Sequence, residues 1–407
     1  MNRVTEERGA VFLGGRSFMV LPAARNLAEH GVRVCYLGSA TSSVRFSRTV
    51  GLFSSRSWGQ GDEELLECLV KSAENCGVKG WVLFPSSDEH VRIVAQNKTL
   101  LAQHYILTTP IWEAVKVFYD KRLTYRLACE IGVPIPRTFV PGCIEKAAQL
   151  DTDFPVVLKP AISYRFAAIT NRKAYRAENR DALRHLFQSM SRVIGPSEVI
   201  VQEHLPEPSK NLFSFAGYFK LGEPLAGLSA KRARQLPRDF GWTSTFVEAV
   251  EMPELRELAS QLLRAVHYTG FAEVEFMWNA ERARFELLDV NTRLWAWHSL
   301  AIASGLDLPW VAFTDVLGRQ SSVRAVRQGT KWVRFWKDLQ AAVQSICSGD
   351  LSIRQYVTSL RGARVLMAFS LSDPMPSILE PFLLVIDRLI RMVLRRVKFQ
   401  SRRPAKI

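Results

Sequence analysis

The sequence predicts a mixed architecture: a parallel α/β domain over residues 1–108, an α+β domain over 109–320 and a helical extension over 321–407. Three observations predict it. Short apolar runs alternate with helical patterns as far as residue 108, the mark of a parallel sheet. From 109 to 320 strands and helices interleave, and two of the strands are joined by a short polar turn. Past 320 the apolar residues recur at helical spacing. A chain of 407 residues exceeds what one small core organises, so two or three domains are expected.

In chain order, Val11-Phe-Leu is apolar throughout and runs into Gly14-Gly15, a buried strand ending in a tight turn. Phe18–His30 has helical spacing, Gly31–Gly38 reads as the next strand, and Glu63–Cys76 is helical. Trp81-Val-Leu-Phe-Pro is another buried strand, ending at Ser86-Ser87-Asp88-Glu89. The glycine turn lacks the full G-x-G-x-x-G pattern and no acid ends the second strand, so it reads as a strand-to-helix turn rather than a dinucleotide site. A helix N-terminus there still suits an anion such as a substrate carboxylate. Ile111–Ile131 reads as one helix stopped by Gly132-Val-Pro-Ile-Pro. Strands are expected at Pro155–Lys159, Glu198–Glu203, Leu212–Phe219, Ala272–Trp278 and Arg284–Val290, and helices at Arg180–Arg192, Met252–His267 and Ala296–Ala303. Trp332–Ser348 and Ser377–Lys398 close the chain as helices. In the last of these, apolar residues such as Ile378, Phe382, Ile386 and Leu389 recur with basic residues mostly between them. That pattern fits packing on its own protein, and it fits a helix lying on an anionic membrane surface.

The net charge is +15 and the isoelectric point ≈ 9.8, which bears on partners rather than on fold. Part of the excess sits in the last twenty residues, and no recognised nucleic-acid motif appears, so no nucleic-acid partner is expected. The six cysteines are scattered, none in CxxC spacing and none beside a histidine set. They read as reduced thiols of a cytoplasmic protein, one that reaches the membrane only if its last helix lies there. Met1–Ala10 carries Arg3, Glu6, Glu7 and Arg8 and does not read as a signal peptide. No apolar run approaches the roughly 20 residues that span a bilayer.

The residues that carry chemistry converge from several strands. Alternation puts Glu273 and Glu275 on one strand face, and Asp289 and Asn291 on one face of the next strand. The turn Asn279-Ala-Glu-Arg joins the two as a hairpin, so acids and an amide meet in an oxygen-only cluster suited to Mg2+. Lys159 ends the apolar run Phe154-Pro-Val-Val-Leu, a costly place for an ammonium unless an anion waits there. Lys121 follows Asp120 at a helix start. Val199–Pro206 looks like a strand running into a linker, with a backbone able to read the edge of an adenine.

From about Val11 to Leu317 this order of motifs resembles the ATP-grasp superfamily, and within it the carboxylate–amine ligases. The strongest piece is Gly270-Phe-Ala-Glu-Val-Glu-Phe followed by Leu288-Asp-Val-Asn-Thr-Arg, where the family has a V-E-F-like strand and then E-x-N-x-R. The resemblance implies a ligase that spends ATP to activate a carboxylate as an acyl phosphate and joins it to an amine. It implies Mg2+, one ion or two, with Mn2+ as a substitute, held by Glu275, Asp289 and Asn291. It puts Arg293 over the transferring phosphate, Lys121 and Lys159 on the nucleotide phosphates, and Gln202, Glu203 and Leu205 at the adenine. In similar ligases the basic segment Lys231–Arg238 faces the phosphates or the acid, with Arg234 the first choice and Lys231 the second. A solvated charged face is an equal reading of that segment. The partners implied are a small carboxylate and an amine, and, since relatives are often dimers, a second copy.

Two departures bear on the expectation. Ala161–Ala174 contains no glycine where relatives carry a glycine-rich phosphate loop, so a lid there would close with side chains. Asp289 stands where glutamate is commoner. A nucleotide-binding protein that has lost catalysis and a ligase with a non-amine acceptor remain the alternatives. Trp295, Trp297 and His298 read as core, with a base for the amine as the second reading of His298.

Overall fold

The computed structural model describes residues 8–55, 61–206, 211–237, 243–367 and 369–400. The chain forms two compact units, one of residues 1–86, 103–106 and 368–407, the other of 87–102 and 107–367.

The first unit is built on a parallel sheet of order β3-β2-β1-β4-β5, with β1 Ala10–Leu13, β2 Val34–Gly38, β3 Val50–Ser55, β4 Val82–Pro85 and β5 Ile106–Leu107. β1, β2 and β4 are buried along their whole length, which is why they read as uninterrupted apolar runs. β3, half-exposed at the sheet edge, lacked that signal. The helix Met375–Gln400 belongs to this unit. Arg25 binds Asp373 just ahead of it (2.9 Å), and Ser17 and Thr41 donate to its Glu380 and Asp387.

The second unit holds a four-stranded sheet of order β6-β9-β7-β8, with β6 Thr138–Phe139, β7 Val156–Pro160, β8 Tyr175–Ala177 and β9 Val199–Glu203. The helix Arg180–Ile194 covers it. Asn179 caps the helix by accepting from Ala182 N (2.9 Å), and Leu183, Phe187 and Met190, on one helical face, pack on Val156, Leu158, Val199 and Val201. The larger sheet has the order β14-β13-β10-β11-β12-β15-β16: β10 Leu212–Lys220, β11 Glu223–Leu236, β12 Thr243–Val250, β13 Gly270–Asn279, β14 Arg284–Asn291, β15 Lys331–Val333 and β16 Ala363–Leu366. β10 turns into β11 through Leu221-Gly222, both at positive φ (52° and 86°), the geometry a two-residue hairpin needs. A side chain at Gly222 would also meet the Arg264 backbone at 2.4 Å. On β13 Ala272, Val274 and Phe276 pack with the helix Pro253–Arg264, so Glu273 and Glu275 face the other way.

The structure departs from the sequence expectations at several places. The stretch read as one helix over 111–131 is two, Trp112–Tyr119 and Lys121–Glu130, broken at Asp120, which takes an extended conformation and caps the second helix at Arg122 N (3.0 Å). The expected lid loop over 161–174 contains a helix, Ser163–Thr170, ended by Asn171 in the left-handed region (φ 55°), a position glycine usually fills. Lys231–Leu236 is the end of a strand rather than a solvated charged run. The expected extension over 321–407 is no unit of its own. Its β15 and β16 extend the large sheet, while the stretch from 368 on joins the first unit. Among the described residues no helix is long and apolar enough to cross a membrane.

Candidate functional site

In the second unit a cavity of ≈ 190 Å3 lies between residues of the two sheets. β7 brings Val157 and Lys159 to it, β9 Gln202 and Glu203, β13 Met277 and Glu275, and β14 Leu288 and Asp289. Along both β7 and β13 the lining changes within two residues from apolar to charged, Val157 to Lys159 and Met277 to Glu275. The β13–β14 register explains the last pair. Glu273 faces Asn291 and Glu275 faces Asp289, after which a bulge leaves Leu288 as the extra residue. Adjacent Leu288 and Asp289 therefore both reach the cavity.

Most of the charges there are paired with a charge of opposite sign. Lys121 binds Asp289, Arg232 binds Glu275 (2.5 Å) and stands 3.8 Å from Glu273. Asn291 donates to Glu275 (2.9 Å) and Glu273 (3.2 Å). Glu273 also accepts from Trp297 Nε1 (3.0 Å) and Ser214 Oγ (3.2 Å). Lys159 differs. Its ammonium donates to the Tyr125 hydroxyl and to Gln202 Oε1 (2.6 Å) and sits 4.7 Å from the Tyr125 ring centroid, so its partners are all neutral. Gln202 is held in turn by donating to Thr138 Oγ1 (2.7 Å), and Tyr125 by donating to Leu288 O (2.6 Å).

The proton equilibria follow from this packing. Burial pushes Lys159 down to about 7, aided by the neighbouring Lys121 charge and opposed by Asp289 and Glu275. Lys173, although exposed as a residue, is also lowered, by desolvation of its ammonium at the cavity. For Asp289 burial works upward, but Lys121, Lys159 and Lys173 more than offset it and hold the carboxyl below its usual range. Glu273 is pushed up to about 7 by burial and by Glu275, against the pull of Arg232 and Arg293. A cavity that depresses Lys159 and Lys173 while holding the Asp289 carboxylate ionised has the electrostatics of an anion site with a place for a cation beside it.

A second cavity of ≈ 130 Å3 shares Lys121, Ser163, Lys173 and Asp289 with the first and adds Asp88, Tyr119, Tyr164, Asn291 and Arg293. Arg293 is clamped there by Asp88 (Nε–Oδ1 2.8 Å) and lies 3.5 Å from Asn291 Oδ1. Of the residues singled out from the sequence, Lys121, Lys159, Gln202, Glu203, Leu205, Glu275 and Asp289 line the first cavity, Asn291 and Arg293 the second. The Glu203 carboxylate is turned to Arg282 (2.8 Å). Arg234 reaches neither cavity. It binds buried Asp338 (2.8 and 2.7 Å) with its guanidinium 4.1 Å from the Phe246 ring centroid. The cause is a register shift on β11 to each side of Arg234, so Arg232 and Gln235 face the cavity while Arg234 faces the helix Phe335–Cys347. Lys231 stacks its ammonium over the Phe213 ring instead (5.6 Å). Arg232 and Lys173 line the cavity without having been singled out from the sequence. His298 is fully buried, bonded to Trp295 O (2.9 Å) and pushed down to about 4 by burial, outside both cavities.

Glu275, Asp289 and Asn291 offer oxygen donors of the kind Mg2+ takes, with Arg232 and Lys121 holding the two carboxylates in this structure. Among the described residues no cluster of three or more acids, histidines or cysteines could hold an ion alone. Two carboxylates and an amide suit an ion that keeps phosphate oxygens in its shell.

Residues 243–319, which include all of these oxygen donors and Arg293, match the family model described as carbamoyl-phosphate synthase L chain, ATP binding domain. The D-aspartate ligase of Enterococcus faecium (strain Aus0004) is 23% identical over 336 residues, 76% of each chain. Among solved structures, the biotin carboxylase domain of Hydrogenobacter thermophilus 2-oxoglutarate carboxylase, in complex with MgADP, ADP and bicarbonate, superposes with a TM-score of 0.62 at 14% identity over 79% of this chain and 73% of that one. The L-amino acid ligase of Bacillus licheniformis gives 0.60 at 10% identity over 78% and 76%. At these identities the structural likenesses establish the fold.

Proposed function

We propose that the chain is an ATP-grasp enzyme, an ATP-dependent ligase that joins a carboxylate to an amine through an acyl phosphate, releasing ADP and phosphate; the match of residues 243–319 to an ATP-binding domain model and the likeness to a D-aspartate ligase support this. The observation that carries this reading is the gradient along β7 and β13, from apolar walls to a cationic end where half-buried Lys159 has only neutral hydrogen-bond partners. Adenine takes the apolar part, against Val157, Leu205, Leu212 and Met277. The phosphates take the end with Lys121, Lys159 and Lys173, giving Lys159 an anion to offset its burial.

Glu275, Asp289 and Asn291 would hold Mg2+, with Mn2+ as a substitute. The ion would draw charge from the phosphate oxygens. The substrate carboxylate lies in the second cavity, oriented by Arg293, whose own position is fixed by Asp88. One carboxylate oxygen attacks the γ-phosphorus as the bond to the ADP oxygen breaks. Arg293 and Arg232 stabilise the charge on the transferring group. The amine then attacks the acyl carbon, the carbon–oxygen bond to phosphate breaks, and the nitrogen loses a proton. The two relatives named as amino-acid ligases make amino acids, D-aspartate among them, the first acids and amines to test.

The test is thermal unfolding of wild type and Asp289→Ala with ATP or ADP, with and without Mg2+. A ligand at about 100 times its dissociation constant adds about 2.7 kcal/mol. Stabilisation that requires Mg2+ and vanishes in the variant supports the site. Stabilisation of both proteins alike, or of neither, removes it. ADP release that needs both an acid and an amine then separates ligation from a non-amine acceptor.

A further inference from the structure

Among the described residues none beyond 320 lines either cavity, yet residues 321–407 carry sixteen Lys and Arg against five Asp and Glu, which is eleven of the chain's net +15. All five acids are engaged internally: Asp338 by Arg234, Asp350 by Ser348, Asp373 by Arg25, Glu380 by Ser17 and Asp387 by Thr41. From Arg388 onward the sequence has eight basic residues and no acid.

The helix Met375–Gln400 has two opposed stripes. Pro376, Leu379, Glu380, Leu383 and Asp387, at steps of three and four, are its more buried residues, and two of them bond to the first unit. Half a turn away, Ile378, Phe382, Val385, Leu389 and Met392 recur at steps of four and three and are 54, 66, 59, 52 and 47% exposed. A helix on a soluble protein ordinarily turns its apolar stripe inward. Here the acids and a narrow apolar strip face the protein, and the broad apolar stripe faces out.

We propose that this helix lies flat on an anionic lipid surface, its outer stripe among the acyl chains and the basic end of the chain on the headgroups. The helix is not apolar enough to cross the bilayer, which suits an interfacial position. Charge complementarity selects the occupant. Two copies packed through this stripe would bring two strongly basic segments together, whereas a lipid surface bearing phosphate supplies the counter-charge. The inference is independent of the ligase reading.

The experiment is co-sedimentation of the full chain with vesicles of phosphatidylcholine alone or mixed with phosphatidylglycerol, at low and high salt. Wild type, Phe382→Asp and Leu389→Asp are compared, with the milder Phe382→Ser/Leu389→Ser pair standing in if either melts early. Binding to the mixed vesicles should exceed binding to phosphatidylcholine at least about tenfold, fall with salt, and drop at least about tenfold in each variant. The variants should keep the wild-type melting temperature and Mg-nucleotide response. No sedimentation, equal sedimentation with both vesicles, or variants that bind like wild type overturns the proposal. So does a lipid-free dimer that the same substitutions abolish, since a second copy would then cover the stripe. Loss of the nucleotide response in wild type as well would sink the ligase reading and leave this one standing.

Discussion

Lys159 offers a measurement that links the cavity's electrostatics to its occupant. Its ammonium falls from the ordinary 10.5 to about 7 in the folded protein. In the window between those values the unfolded chain binds more protons than the folded one, so stability rises as pH rises through it. At about 1.4 kcal/mol per pH unit, the fall to about 7 penalises the folded state by about 5 kcal/mol well below pH 7. Raising the pH from about 7 to about 9.5 removes about 3 kcal/mol of that penalty, an upper bound because a buried ammonium draws in water. Urea unfolding of wild type and Lys159→Met at the two pH values isolates this contribution, since other titrating groups affect both proteins. Wild type should gain 1 to about 3 kcal/mol more than the variant over the interval. With saturating MgADP the excess should vanish, because a phosphate keeps the ammonium charged in the folded state. Equal pH slopes for the two free proteins would mean that Lys159 is hydrated and the cavity is not the site of buried charge described above.

The two β11 arginines should separate cleanly. Arg232→Lys keeps a charge beside Glu275 but loses the fork, and turnover should fall about 100-fold with the melting temperature little changed. Arg234→Met strands the buried Asp338 carboxylate and should cost about 3–5 kcal/mol in urea unfolding, with kcat and KM near wild type, and Asp338→Leu in the same chain should restore most of it. The reverse pattern would mean that the strand register is wrong. His298, held at about 4 against an ordinary 6.5, stays neutral while the unfolded chain takes up a proton. Stability should therefore fall as pH falls from 6.5 toward 4, by about 3 kcal/mol. In His298→Leu that acid loss should flatten while the pH profile of ADP release stays as in wild type. A changed profile would return His298 to the chemistry.

What the sequence disclosed and what it concealed have separate physical causes. β1, β2 and β4 are buried on both faces, so composition alone marks them, and alternation puts Glu273 with Glu275 and Asp289 with Asn291, whereas the facing of Glu275 and Asp289 across the hairpin depends on the bulge at Leu288. Lys159 was legible because an ammonium ending an apolar strand is costly under any fold. The break at Asp120 was not, because Lys121–Glu130 continues the helical spacing of the residues before it. What marks the boundary is the backbone of one capping residue. The edge strand β3 and the short β15 and β16 are too exposed or too brief for a periodic signal.

Arg232 shows the limit most sharply. In Lys231-Arg-Ala-Arg an unbroken strand would put Arg232 and Arg234 on the same face, and no local feature favours one over the other. The choice is made by register shifts at Arg234, and those in turn are held from outside the strand. Asp338, itself buried, takes both the Nε and Nη2 of Arg234 and also accepts from Thr245 on β12 (2.9 Å). The helix that carries Asp338 lies beyond the segment matched by the family model. Which arginine faces the cavity is therefore settled about a hundred residues downstream of the strand, by an ion pair whose removal is felt as instability rather than as lost chemistry.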